Sequence, residues 1–377
     1  MGKSAQTDVL FKEMDFEGSR RTLILNKPRI LDRIRRISSC ESLASLQQQV
    51  YKLRTDLADF EGDGAKLLNI GTNGDTVSIT ENYLLSELRQ IVEARTLERS
   101  KYYLCRLAKA ISEKRTNKLN DLDLNRWKEY SDIITDSLWI LQRRDSSGVH
   151  NAEYWGNFIP QIPQQMMKRY TKAGEWVLDT FAGCGTTQIE AQRLGRNSVG
   201  VELQAPVVET ANKLVRSEPN RFGTINEIVQ GDSAEIDFAA LLSQYRRKSV
   251  QLLIMHPPYF DIIKFSEDPR DLSNAPTIEA FLAKMNTIVA NASRVLDRGR
   301  YLALVIGDKY SKGEWIPLGF LTMQEVLKTG YTLKSIIVKN FEETSGKRNQ
   351  KELWRYRALV GGFYIFKHEY IFLFRKK

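Results

Sequence analysis

Between Glu41 and Phe60 the apolar residues Leu43, Leu46, Val50, Leu53, Leu57 and Phe60 recur at spacings of 3, 4, 3, 4 and 3. Such a stripe belongs to a helix with one apolar face. It lasts about two and a half heptads, short of the three to four that specify a coiled coil. A helix packed inside an N-terminal bundle is therefore favoured, with a homodimer through these helices as the alternative. Polar, glycine-bearing segments at 61–64 and 71–74 interrupt the pattern as loops. Helical periodicity resumes over Tyr83–Lys114 and again over Leu122–Leu141.

The texture changes at Asp145-Ser146-Ser147-Gly148. Beyond it, short β-rich runs at Trp176–Asp179, Ser198–Glu202, Gln251–Met255, Tyr301–Gly307 and Leu333–Lys339 alternate with helical stretches. The helices are predicted at Thr186–Leu194, Ala205–Ser217, Ile278–Leu296 and Leu318–Thr329. Strand–helix alternation predicts an α/β domain, a parallel sheet with helices on both faces. A last apolar run, Phe363–Phe374, follows with no intervening helical pattern, so it is expected to return antiparallel as a hairpin at the sheet edge. Two domains result: a mainly helical region over 1–148 and an α/β domain over 149–377.

Composition narrows the class. The 377 residues are 42% hydrophobic and 27% charged, which is globular. No apolar run reaches the ~20 residues of a membrane span, and the first residues lack the apolar segment of a secretion signal, so a cytoplasmic protein with no membrane partner is expected. Cys40, Cys105 and Cys184 are scattered, and there are three histidines. Neither a disulfide framework nor a protein-built metal centre is expected. The net charge of +10 falls mostly beyond residue 150. It suits a polyanionic partner without specifying one.

The segment from Trp176 to Asp179 runs into Thr180-Phe181-Ala182-Gly183-Cys184-Gly185-Thr186, a glycine-rich turn ahead of a helix. Two glycines let backbone approach a ligand where open α/β sheets bind, at strand carboxyl ends. The next strand ends in Glu202, 19 residues after Gly183, the spacing at which a carboxylate takes ribose hydroxyls. A third strand ends at Gln230-Gly231-Asp232, where Asp232 can accept from an adenine amino group. The third glycine of the dinucleotide fingerprint and a P-loop lysine are both missing. A nucleoside with an amino-acid tail, its carboxylate on the loop amides, fits better than a pyrophosphate. S-adenosylmethionine is such a molecule.

The strand Gln251–Met255 ends in His256-Pro257-Pro258-Tyr259-Phe260. Two prolines hold the preceding residues extended, so that backbone carbonyls leave the strand end rigidly beside an aromatic ring. Such a turn can accept from the N–H groups of a planar, amino-bearing heterocycle. With the glycine motif, it resembles the amino-methylating DNA methyltransferases, which modify adenine N6 or cytosine N4. Asp179, Phe181, Gly183, Gly185 and Thr186 match that family's cofactor motif, and Glu202 and Asp232 match its acidic positions. His256, Pro257, Pro258 and Tyr259 match its catalytic (D/N/S)-P-P-(Y/F) turn. Upstream, Tyr154-Trp155-Gly156-Asn157-Phe158-Ile159-Pro160 is similar to the segment that closes over the cofactor's methionine end, giving Phe158 and Pro160 as cofactor contacts.

The resemblance covers about residues 150–377. It implies a Rossmann-like, S-adenosylmethionine-dependent methyltransferase sheet acting on double-stranded DNA, in a bacterial or phage setting, with Tyr259 and Phe260 stacking on a flipped base. Position 256 is His where the family has Asp, Asn or Ser; lacking a carboxylate, the motif leans toward cytosine N4. Carbon-5 chemistry would need a nucleophilic thiolate, and no Pro-Cys pair exists. The basic, aromatic stretch holding Lys347, Arg348, Lys351, Trp354, Arg355 and Arg357 is the expected strand-contacting loop. Two alternatives stay open: an RNA amino-methyltransferase, and a cofactor-binding recognition subunit without catalysis.

Overall fold

The computed structural model describes residues 21–58, 67–68, 75–150, 156–340 and 351–377. The loops expected at 61–64 and 71–74 lie outside the described residues, as do Phe60, Tyr154, Trp155, Lys347 and Arg348. The chain forms two compact units, Met1–Asn117 with Leu122–Asp132, and Lys118–Asp121 with Ile133–Lys377. The boundary expected at 148 thus falls inside the second unit, where Trp139 is already a core residue.

In the first unit, strands β1 (Thr22–Asn26) and β2 (Thr76–Thr80) pair antiparallel beside helices α1 (Lys27–Ser38), α2 (Leu43–Ala58), α3 (Glu81–Glu93) and α4 (Leu97–Ser112). Leu46, Val50, Leu53 and Leu57 of α2 are buried in one cluster with Ile30, Ile34 and Ile37 of α1. From Leu46 to Leu57 the 3–4 seam is therefore covered within the unit. The single helical pattern over Tyr83–Lys114 divides into α3 and α4, because Ala94 turns extended and Thr96 caps the second helix by accepting from the Arg99 amide. The helix expected over Leu122–Leu141 does not form. Asp123 accepts from Arg115 and Asn125 amides and starts only a 3-10 turn, Leu124–Glu129, while Leu138–Trp139 is a short strand, β3.

The second unit holds an eight-stranded sheet. Its strands are β3, β4 (Trp176–Asp179), β5 (Asn197–Glu202), β6 (Asn226–Gln230), β7 (Val250–Met255), β8 (Leu296–Ile306), β11 (Tyr331–Asn340) and β12 (His368–Lys376). A hairpin of β9 (Lys309–Ser311) and β10 (Glu314–Ile316) stands apart from it. The spatial order is β3-β11-β12-β8-β7-β4-β5-β6. Pairs β7–β8, β4–β7, β4–β5 and β5–β6 are parallel, and β12 runs antiparallel to both neighbours. The antiparallel return is as expected, but β12 lies between β8 and β11 rather than at an edge. A helix, Lys351–Gly361, precedes it where none was expected; its apolar residues are largely exposed, so no core-facing stripe marks it in the sequence.

Side chains alternate between the two faces of the sheet along each strand, as β geometry requires. Leu253 and Met255 face one layer with Phe281, Met285 and Ile288 of a helix spanning Ile278–Ser293. Leu252 and Ile254 face the other, with Ile162, Met166 and Met167 of a helix at Gln161–Tyr170. Both faces are covered, which explains why these strands read as continuous apolar runs. The chain proceeds from β4 outward to β5 and β6, then restarts at β7 on the other side of β4. The carboxyl ends of β4 and β7 therefore flank a topological switch point, where open α/β sheets form a crevice.

Candidate active site

Residues brought together at this crevice line one cavity, among them Phe158, Gly183, Glu202, Asp232, His256 and Pro257. Beneath it, the fully buried Asp179 accepts from the Phe181 amide (2.9 Å) and from the Thr187 hydroxyl (2.5 Å). Burial pushes its pKa up to about 6 against the pull of those two hydrogen bonds. Asp179 does not line the cavity; it shapes the loop from below. Gly183 and Gly185 adopt φ of 50° and 84°, the left-handed region that favours glycine. A Cβ on Gly185 would also stand 3.2 Å from Ile228 and 3.3 Å from Val215.

Glu202 accepts from the Gly183 amide at 3.1 Å and from the Gln204 amide at 3.0 Å, so the carboxylate pins the glycine turn that it was expected to accompany. Burial raises its pKa. Asp232 accepts from the Ala234 amide (2.9 Å) and faces Lys284 Nζ at 3.3 Å. Thr186 is buried away from the cavity, and its hydroxyl donates to Asn157 Oδ1 at 2.7 Å. Asn157 in turn donates to Cys184 Sγ at 2.7 Å, tying the segment before Phe158 to the loop. Pro160 sits buried at the start of the Gln161–Tyr170 helix, and Phe181 and Pro258 line the cavity.

At the end of β7, the His256 ring lies 4.9 Å from that of Phe158. Burial pushes its pKa down to about 4, so the imidazole is neutral at pH 7. Tyr259 takes a different position from the one expected. It does not line the cavity, its ring packs where a Cβ on Gly307 would stand 2.9 Å away, and its hydroxyl donates to Glu369 at 2.7 Å. Phe260 is buried in the core against Phe281 rather than offered to a base. Sequence reasoning missed Phe265 and Lys284, which line the cavity from separate elements without a local motif, and gave no role to Asn157, which lines it too from within the quoted segment. Phe265 is held close by Gly156, which has φ of 80° and where a Cβ would meet the Phe265 ring at 2.6 Å.

The basic stretch is partly helical. Lys351 opens the helix Lys351–Gly361, where Arg355 and Arg357 are exposed and the Arg357 guanidinium lies 5.3 Å over the Trp354 ring. Tyr356 and Leu359 are 65% and 71% exposed beside them. None of these residues lines the cavity. Among the described residues no group of His, Cys, Asp and Glu could hold a metal ion, and no helix is long and apolar enough to cross a membrane.

Residues 90–213 match the N6/N4 DNA methylase family. The chain is similar to the amino-methylating DNA methyltransferases. The matched residues contain the glycine loop and Glu202 and end before the His256 turn. Among relatives, the Type II methyltransferase M2.DpnII of Streptococcus pneumoniae is 32% identical over 101 residues, 26% of this chain and 34% of that protein. M.MthZI of Methanothermobacter thermautotrophicus is 37% identical over 79 residues, 21% of each chain. The chain thus spans about a third or less of the length of these methyltransferases. Among solved structures, TrmN from Thermus thermophilus aligns at 15% identity over 58% of this chain and 49% of its own, with a TM-score of 0.37.

Proposed function

We propose that this chain is an S-adenosylmethionine-dependent DNA methyltransferase that modifies an exocyclic amino nitrogen, cytosine N4 in preference to adenine N6. One observation carries the reading: the His256-Pro257-Pro258 turn and the Gly183 loop with Glu202 and Asp232 line a single cavity at the switch point. The donor set fits the cofactor. Glu202 and Asp232 offer acceptors for hydroxyl and amino groups, Phe181 and Ile288 offer apolar surface, and Lys284 is engaged by Asp232 and the Arg270 carbonyl rather than free for a phosphate. When bound, S-adenosylmethionine supplies a methyl group activated by its sulfonium.

The chain's own task is then to position an amino nitrogen. Its lone pair is delocalised into the base, which makes it a poor nucleophile. A neutral His256 and the Pro257 carbonyl both accept hydrogen bonds; together they favour a pyramidal nitrogen whose lone pair can face the methyl group. No protein nucleophile is required. Cys184 is ill-suited to be one: burial raises its thiol pKa, and its sulfur already accepts from Asn157. A base inside a duplex must be flipped to reach the turn, and the exposed Arg355 and Arg357 beside Tyr356 suit the strand backbone.

Methyl-labelled S-adenosylmethionine offered with duplex DNA and with RNA tests this reading. Label should enter DNA and be lost with His256→Ala. Label in RNA alone, or in neither, overturns it.

A further inference from the structure

Behind the His256 turn the chain buries an ion pair far from any motif in the sequence. Lys339 on β11 and Glu369 on β12 are direct cross-strand partners, 5% and 4% exposed, with Nζ 2.9 Å from Oε1. The other carboxylate oxygen, Oε2, takes the hydroxyl of Tyr259 at 2.7 Å, and that hydroxyl oxygen lies 3.1 Å from His256 Nε2. Four side chains thus form an uninterrupted line from a buried cation to the imidazole on the cavity wall.

The protons in this line have one consistent arrangement. A carboxylate in an ion pair only accepts, and a tyrosine hydroxyl has one proton to give. That proton goes to Glu369. The tyrosine oxygen can then only accept from His256, which requires hydrogen on Nε2. A neutral imidazole carries one such hydrogen, so Nδ1 is left bare. We propose that Glu369, held by Lys339 and acting through Tyr259, is a positioning residue that locks His256 in the Nε2–H tautomer and makes Nδ1 a hydrogen-bond acceptor. The opposite tautomer would aim an N–H at the amino group it has to hold. An Asp at position 256 presents only acceptor oxygens and needs no such lock; an imidazole has to be told which nitrogen to protonate. The lock itself is independent of the proposed function. Its purpose, accepting from a base amino group, rests on that reading.

The test is ¹⁵N NMR of histidine-labelled protein, in which only three histidines contribute and His256→Asn identifies the resonances of position 256. The wild-type spectrum should show hydrogen on Nε2 and a bare Nδ1; hydrogen on Nδ1, or an even mixture, overturns the proposal without touching the methyltransferase reading. Glu369→Gln should mix the tautomers and lower kcat about tenfold or more while cofactor affinity stays within about twofold. In a His256→Asp background, whose carboxylate only accepts, Glu369→Gln should cost less than about twofold, because coupled residues are non-additive. Independent, additive losses would mean that Glu369 does not act through His256. A protein that methylates nothing yet shows the Nε2–H spectrum would remove the proposed function and leave the lock standing.

Discussion

The carboxyl ends of β4 and β7 are neighbours in one sheet, yet they are shaped by different means. At β4 the wall is backbone: two left-handed glycines turn the chain, and carboxylates from Asp179 and Glu202 are spent on main-chain amides that hold the turn. At β7 the wall is a side chain fixed by side chains, His256 behind Tyr259, Glu369 and Lys339. The first end has the properties needed to hold a constant ligand, since backbone geometry is insensitive to neighbouring substitutions. The second has those needed for chemistry, where an acceptor must be aimed and its proton state set.

Substitutions should therefore separate the two ends. His256→Ala has the largest expected effect: kcat should fall about 10²–10³-fold, as when one preorganised hydrogen-bonding group is removed from a reacting atom. Cofactor affinity by calorimetry should hardly move. A large loss of affinity would erase the distinction between the ends.

Asp179→Asn probes the backbone end through stability. With its pKa raised to about 6, the buried Asp179 favours the folded state while protonated, and that contribution is lost as pH rises from its ordinary value near 4 through about 6. A shift of about two units amounts to roughly 3 kcal/mol. Urea unfolding between pH 4 and 7 should show the wild type losing stability over this window relative to Asp179→Asn. Parallel profiles would mean that Asp179 is not a buried support of the loop.

Glu202→Gln should raise the cofactor Kd about tenfold, the scale of one hydrogen bond to a charged group, with kcat at saturation near that of the wild type. A kcat effect without a Kd effect would place Glu202 at the wrong end. The smallest change is expected outside the cavity: Arg355→Ala and Arg357→Ala should each weaken DNA binding and lower the slope of log K against log salt by about 1. Unchanged slopes would remove this helix from the interface.

The same contrast explains what could be read in the sequence. The β4 end was legible because its determinants are contiguous, Asp179 to Thr186, with Glu202 a fixed 19 positions beyond Gly183. The order of strands and helices was legible for a related reason: both sheet faces are covered, so strands appear as apolar runs. The support of the β7 end was not legible. Tyr259 and Glu369 are 110 positions apart, and Lys339 meets Glu369 only through the register of β11 on β12. Local patterns also failed where packing was weak or polar bonding took over. The exposed helix Lys351–Gly361 had no apolar stripe, and Asp123 starts a six-residue 3-10 segment where the Leu122–Leu141 helix was expected.

In the proposed function the β7 end presents acceptors to an amino nitrogen beside a methyl donor held at the β4 end. Nucleoside mass analysis of duplex DNA treated with the protein and isotopically labelled S-adenosylmethionine tests it most directly. Label is expected on an exocyclic amino group, as N4-methylcytosine in preference to N6-methyladenine. Label on cytosine carbon-5, or unmodified DNA, would contradict it.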